Sequence, residues 1–273
     1  GAAFGRTWQG FVIREDGSTT TVDVSVRTVP IDGEMLSVTL LRDITEQVRA
    51  ESALRQRLAM DELVTSVSSE FLGLPPEQTD QAVERALARV TAFIGGDRAN
   101  ISVLDDAHGT MRCTHEWMAP GLASVEGFVI DGSDAGERWW MQHMRRIDPI
   151  RLANVADEIP PQAGSAREWL LARGLRSLIA VPIVQHGSVR GAVTCTSHGQ
   201  LRSIGDDAVS LLRIVGELCF GALSHARSQH ALVASEARKA AILESALDCI
   251  VSMAAQGGVT EFNPAAEAAF GWS

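Results

Sequence analysis

The chain has 273 residues, 45% of them hydrophobic, with a formal charge of −10. That size admits one sizeable domain plus smaller pieces, and the acidic balance without any basic stripe argues against a nucleic-acid surface. The longest uninterrupted apolar run, around Leu178 to Val184, is broken by Pro182 and is far shorter than the roughly 20 residues of a membrane span.

The N-terminal residues do not read as a signal peptide. Val22, Val24 and Val26 alternate with Thr21, Asp23, Ser25 and Arg27, the pattern of a strand with one apolar face. Leu36, Val38 and Leu40 repeat it, and Asp16-Gly17 and Asp32-Gly33 sit at the connections. Residues from about Trp8 to Leu41 therefore read as an antiparallel meander of two hairpins. Asp43-Ile44-Thr45-Glu46 follows, where Asp43 can cap the first N–H groups of a new helix and Glu46 can reach back in a capping box. Alone, this is an ordinary helix start. After such a meander, the strand-to-helix joint of Asp43, Thr45 and Glu46 resembles the exit of a PAS sensory domain. The resemblance implies that residues 1–45 are the C-terminal half of such a domain, with the chain starting inside it.

A polar helix is expected over residues 46–71. After Pro75-Pro76, a second helix carries Val83, Ala86, Leu87, Val90 and Phe93 at helical spacing. Strands at Ala99–Leu104 and Met111–Trp117 come next, then a helix centred on Trp139-Trp140-Met141 and a short extended piece near Pro149. A helix around Ala166–Ala172 stops at Gly174, and strands Ser177–Val184 and Val189–Ser197 form a hairpin through His186-Gly187. This order resembles a GAF domain over residues 72–228. The resemblance is carried by His115-Glu116-Trp117 with Ala119-Pro120-Gly121, by Trp139-Trp140-Met141, by Leu175 to Pro182, and by Gly191-Ala192-Val193. It implies an α+β fold with an antiparallel sheet, helices on one face and a pocket on the other. The signatures of cyclic-nucleotide-binding and bilin-binding GAF domains are missing. The Cys113/His115 and Cys195/His198 spacings also differ from the bilin type.

Trp117, Trp139 and Trp140, with His115, Glu116 and Cys195 nearby, are the candidates to line a ligand pocket, although adjacent tryptophans on a helix equally seal a core. The two Cys/His pairs do not make a metal site, because in a GAF-like sheet another strand would separate them by roughly 9 Å. No cofactor is identifiable. No Gly-x-Ser-x-Gly elbow, Walker loop or His-Glu-x-x-His motif is present, so this segment is not expected to be an enzyme. The four cysteines show no Cys-x-x-Cys spacing and fit a reducing cytoplasm.

From Asp206 to about Leu247 the sequence has no proline, and Leu211, Val215, Leu218, Ala222 and Leu232 follow coiled-coil spacing. These residues are the expected seam of a parallel homodimer, with residues 229–247 as a signalling helix. Cys249 to Val251, the Gln256-Gly257-Gly258 turn and Val259 to Phe262 read as a second hairpin, and Asn263-Pro264 opens a helix. Residues 248–273 resemble the start of another PAS domain. The resemblances together imply a sensory segment of a bacterial signalling protein. Its output would be the histidine kinase of a two-component system, or a cyclic-di-GMP cyclase or phosphodiesterase. The alternative is a GAF domain that binds nothing and serves as a dimerisation scaffold.

Overall fold

The computed structural model describes residues 6–31 and 34–272, in two compact units that divide between Leu63 and Val64. In the first unit, β1 (Arg6–Ile13), β2 (Thr19–Ile31) and β3 (Glu34–Asp43) form an antiparallel meander in the order β1-β2-β3. Val22 and Val24 of the central strand are buried, while Phe11, Ile13 and Leu40 are exposed. The Asp16-Gly17 turn is formed as read, with Gly17 at φ +81°; Asp32-Gly33 lies outside the described residues.

Helix α1 (Thr45–Phe71) starts directly after β3, but the joint is not a capping box. Asp43 Oδ1 accepts from Thr45 N at 2.9 Å, and Thr45 Oγ1 accepts from Thr21 N at 3.0 Å. Glu46 is exposed and pairs with Arg49 at 3.1 Å instead of reaching back. The local i,i+3 partner is one helical turn away and costs no chain bending, so it wins the carboxylate. The Thr45 hydroxyl and the Ile44 N–H, which donates to Thr21 O at 2.9 Å, together tie the helix start to the central strand.

The second unit is built on a six-stranded antiparallel sheet. Its strands are β4 (Arg98–Asp105), β5 (Thr110–Met118), β6 (Val129–Ile130), β7 (Ile150–Leu152), β8 (Ser177–Gln185) and β9 (Ser188–Ser197). Their spatial order is β6-β5-β4-β9-β8-β7, which puts the β4–β9 pair at the centre. The β8–β9 hairpin turns through His186 (φ +52°) and Gly187 (φ +77°), both left-handed as a two-residue turn of matching twist requires.

One face of the sheet is covered by α2 (Thr79–Ile94) and the first half of α6 (Asp206–Ser245). Helix α2 buries Val83, Ala86, Leu87 and Val90 at helical spacing and ends at Gly95, whose φ of +80° gives the left-handed cap. Helix α6 lies so close that a Cβ on Gly216 would press on Val193 of β9. Half of an 18-residue stretch of α6 with mean hydropathy 1.3 is buried inside the fold. That stretch is long and apolar enough by composition to cross a membrane. Uninterrupted apolar runs do not reveal it, because its polar residues are scattered along the outer side.

The opposite face is roofed by α3 (Ala135–Arg145), α4 (Val155–Glu158) and α5 (Gly164–Ala172). Met141, Met144, Leu152, Leu170 and Leu178 belong to the apolar cluster on this side. Beyond residue 227, α6 runs exposed and leads to the hairpin β10 (Val251–Met253) and β11 (Val259–Phe262), then α7 (Pro264–Phe270). Asn263 Oδ1 caps α7 by accepting from Ala266 N at 3.1 Å, and Asn263 Nδ2 donates to Leu243 O of α6 at 3.2 Å.

Gly191 of β9 crosses the centre of the sheet, and a Cβ there would overlap the carbonyl oxygen of Ser102 on β4. The Gly191→Ala substitution is expected to lower stability by about 1–3 kcal/mol, because the strands must separate to admit the methyl. A urea denaturation midpoint unchanged from the parent would show that the central pair is more yielding than its packing indicates.

Candidate functional site

Strands β4 and β9 are buried on both faces, and the two faces differ in kind. Ala99, Ile101, Val193 and Cys195 are fully buried on the side of α2 and α6. Arg98, Asn100, Ser102, Thr194 and Thr196 alternate with them and point to the other side. There they form the floor of a cavity of about 110 Å³ beneath α3 and α5. The roof is aromatic: Trp140 of α3, Trp169 of α5, and Phe128 from the segment before β6. Phe128 and Trp169 stack with ring centroids 4.9 Å apart, and the Arg173 guanidinium covers Trp169 at 4.1 Å. Gly136 lets α3 approach α5, since a Cβ there would overlap the backbone of Ala166.

The rim is acidic but internally satisfied. Asp134 Oδ1 caps α3, accepting from Glu137 N at 2.9 Å and from Ser165 Oγ at 2.9 Å. These hydrogen bonds, the Glu137 N–H foremost, hold the Asp134 carboxyl below its ordinary range. Glu137 Oε2 accepts from the backbone N–H groups of Asp131, Gly132 and Ser133 at 2.9–3.2 Å.

At the floor, Arg98 and Glu116 form an ion pair at 3.7 Å with both side chains 7% exposed. Glu116 also accepts from Val125 N and Ser124 Oγ, and Arg98 Nη2 donates to Ala123 O, so the pair clamps the loop after β5. Three buried polar atoms of residues that line this cavity have no hydrogen-bond partner in the protein, Arg98 Nε, Trp140 Nε1 and Thr196 Oγ1, and the first of them faces Glu116 across the 3.7 Å ion pair. A buried polar atom left without any partner costs about 1–3 kcal/mol.

Of the six residues expected to line the pocket, only Trp140 does so. Glu116 stands behind the floor through Arg98. Trp139 lies on the flank of α3, tilted against His143 at 4.5 Å. His115, Trp117 and Cys195 belong to the helix-covered face: His115 and Trp117 pair with Ile101 and Ala99, Cys195 pairs with Ala99, and His115 Nε2 meets Asp80 of α2 at 3.2 Å. The reason is a bulge opposite Ile101 and Ser102, where Thr114 is the extra residue. It sends Cys113 into the cavity and His115 to the other face, although residues two apart in a regular strand share one.

Arg98, Thr196, Phe128 and Trp169 were not among those candidates. The polar alternation Arg98-Asn100-Ser102 and Thr194-Thr196 in strands otherwise apolar was the signal that could have found the floor. Among the described residues, no three His, Cys, Asp or Glu side chains converge as a metal shell would need.

The expected dimer seam is corrected as well. Leu211 and Val215 are fully buried in the unit's own core, so neither is open to a partner. Leu218 and Ala222 are half-buried, and Leu232 is 60% exposed.

An antiparallel sheet helical on both sides, with a polar-floored cavity under one of them, defines an α+β domain. The GAF domain model matches residues 78–223, more than half of the chain, and the chain belongs to the GAF domain family, a family of sensory and regulatory domains. Among solved structures, the phycoerythrobilin-bound GAF domain from a cyanobacterial phytochrome is 15% identical with a TM-score of 0.50; the match covers 63% of this chain and 97% of that one. The GAF domain from a phosphoenolpyruvate-protein phosphotransferase of Coxiella burnetii is 16% identical with a TM-score of 0.47, covering 64% and 98%. The chromophore-binding domain of the Stigmatella aurantiaca bacteriophytochrome is 16% identical with a TM-score of 0.49, covering 80% and 72%. At such identities the likeness concerns the fold alone. No curated protein matches the chain.

Burial pushes the thiols of Cys113, Cys195 and Cys219 up to about 12, with Glu116 and Glu126 adding to the rise at Cys113. They stay protonated and unreactive near neutral pH, whereas Cys249 is exposed. Titration of the native protein with a thiol-reactive disulfide is expected to give one fast thiol, Cys249, and all four only after denaturation. Fast labelling of Cys113, located by peptide mapping, would mean that the roof over the cavity opens readily.

Proposed function

We propose that this chain is a sensory segment of a bacterial signal-transduction protein. The GAF cavity binds a small molecule, and the flanking helices pass its occupancy to an output domain. The observation that carries this reading is the row of buried polar residues on the cavity floor, Arg98, Ser102, Thr194 and Thr196, beneath an aromatic roof. A scaffold that binds nothing has no use for them, because an apolar interior of the same shape is more stable. Bilin binding is not carried over from the phytochromes. The cavity, at about 110 Å³, is well below the roughly 300–1,000 Å³ of sites for larger ligands, and Cys113 is held as a neutral thiol.

Occupancy has a short route to α6. Thr194 and Thr196 of β9 face the cavity, while Val193 between them and the helix packs beside Gly216. A ligand that favours one placement of β9 shifts the population of α6 placements by its differential affinity for the two. In the outer part of α6, Leu232, Val233 and Ile242 are exposed. We assign them to parallel pairing with a second copy, in place of Leu211 and Val215. Residues 72–228 are then the sensor, 46–71 and 229–247 the connecting helices, and 1–45 and 248–273 the parts of two PAS domains. The exposed apolar residues of β1 and β3 agree with a sheet that packs against further protein. The output is a histidine kinase, or a cyclase or phosphodiesterase of cyclic di-GMP. The segment itself catalyses nothing and resides in the cytoplasm.

Native mass spectrometry of the protein purified from its host is expected to show a dimer that carries a stoichiometric small-molecule mass. A clean ligand-free dimer would replace sensing with scaffolding, and a monomer would remove the helix pairing. Leu232→Asp is expected to raise the dimer dissociation constant at least about tenfold while leaving ligand occupancy unchanged.

A further inference from the structure

We infer that residues 120–126, in the connection from β5 to β6, form a strap that opens to admit the ligand, and that the buried Arg98–Glu116 pair is its latch. This rests on the sensing role proposed above for what passes through; the opening itself is measurable without it. Of the cavity's walls, the strap has the fewest ties. The floor is the central strand pair. Helices α3 and α5 bury Met141, Met144 and Leu170 and are bonded to each other, where Ser165 Oγ accepts from Gly136 N at 2.8 Å and donates to Asp134 at 2.9 Å. The strap has no helix or strand of its own. Its ends are pinned by backbone bonds, Ala119 N to Asp97 O at 2.8 Å and Gly127 N to Cys113 O at 2.9 Å. Between those pins, every hydrogen bond to the sheet among the described residues runs to one of two side chains. Arg98 Nη2 donates to Ala123 O, and Glu116 accepts from Val125 N at 3.1 and 3.2 Å and from Ser124 Oγ.

The ends of the strap are suited to turning. Gly121 and Gly127 have φ of +92° and +81°, and a Cβ at either would meet nothing, so glycine serves there for backbone freedom and not for space. Inward, the strap contributes Val125 to the cavity wall. Cys113 lies beside it: its side chain lines the cavity, burial raises its thiol, and Glu116 and the strap's Glu126 add to the rise. A buried ion pair is a poor device for holding a fold together, because apolar residues of the same volume do so as well or better. What this pair supplies is direction, a set of bonds that holds a short segment in one place and releases it as a unit. Because Arg98 lines the floor and also bonds the strap, what fills the cavity bears on the latch.

Thiol labelling reads the opening whatever the ligand is. On the full chain, alkylation by iodoacetamide is followed at each cysteine by peptide mapping. Cys113 reports the strap, while Cys195 and Cys219, fully buried away from it, report unfolding of the whole domain. Arg98→Met combined with Glu116→Leu removes both charges and leaves neither buried alone. It is expected to speed labelling of Cys113 at least about thirtyfold, with Cys195 and Cys219 changed less than about threefold. Ser124→Ala removes one bond to Glu116 from an exposed position and is expected to speed Cys113 about two- to tenfold. Amide hydrogen exchange is expected to rise over residues 120–127 in both variants and to stay unchanged over residues 135–145 of α3.

Unchanged labelling of Cys113 in both variants overturns the latch. Faster exchange over residues 135–145 in step with Cys113 labelling puts the entrance at α3 and overturns the strap. Equal acceleration of all three thiols in the double variant means that the fold itself has loosened, and Ser124→Ala then decides by the same two criteria. A copurified small-molecule mass on the native protein keeps the sensing reading whichever way these experiments fall, and its absence removes that reading without touching the strap.

Discussion

The structure depends on the pairing of β4 with β9, two strands buried on both sides at the centre of the sheet. Such strands normally read as unbroken apolar runs, because neither face sees water. Here one face is apolar, through Ala99, Ile101, Val193 and Cys195, and the other is polar, through Arg98, Asn100, Thr194 and Thr196. Burying that polar face is unfavourable unless its groups find partners. Part of the demand is met within the protein: Glu116 balances Arg98, and Ser102 accepts from Asn100 at 3.3 Å. The register that packs α2 and α6 against the sheet is therefore the same register that sets polar side chains on the cavity floor.

Much of the fold was legible in the sequence because its signals are local. The apolar spacing in α2, the His186-Gly187 turn and the Asn263-Pro264 helix start each depend on residues a few positions apart, and all are formed as read. The site was less legible. Its floor comes from strands nearly a hundred residues apart in the chain, Arg98 facing Thr196, and its roof from α3 and α5. The tryptophan cluster around residue 140 drew the right element, but only one of the pair faces inward. At β5 a single extra residue, Thr114, reversed which of Cys113 and His115 points to the cavity. A bulge leaves no trace in the alternation of side chains until the partner strand is known. Two-residue β6 and one-turn α4 are too short to carry a periodic signal at all.

Helix α6 shows why spacing alone misplaces an interface. The residues from Leu211 to Ala222 have the three–four repeat of a coiled coil, and the same repeat is what any helix needs to lie on a sheet. Burial decides between the two. Leu211, Val215 and Cys219 are fully covered by the domain itself, while past Arg227 no residue up to Ser245 is fully buried. One continuous helix is thus a core element for its first half and a largely exposed arm for its second. The arm leaves Leu232, Val233 and Ile242 exposed, and its far end meets Glu261 and Asn263 through Lys239 and Leu243.

In the sensing role proposed above, that division would let the helix act without any hinge. Protein interiors pack at crystal-like density, so a strand that moves cannot do so without moving what touches it. Val193 and Ile183 press on the backbone of α6 at Gly216, where no side chain cushions the contact. The next residue along β9, Thr194, lines the cavity. Under the sensing role proposed above, a ligand that touches Thr194 bears on β9 within one residue of the α6 contact at Val193. Because α6 has no proline and is capped only by Gly205 at its start, a small tilt at Gly216 is carried along the whole helix, and its displacement grows with distance toward Ser245. In that proposed role the first half of α6, packed on the sheet face behind the cavity floor, is the element placed to report what the cavity contains.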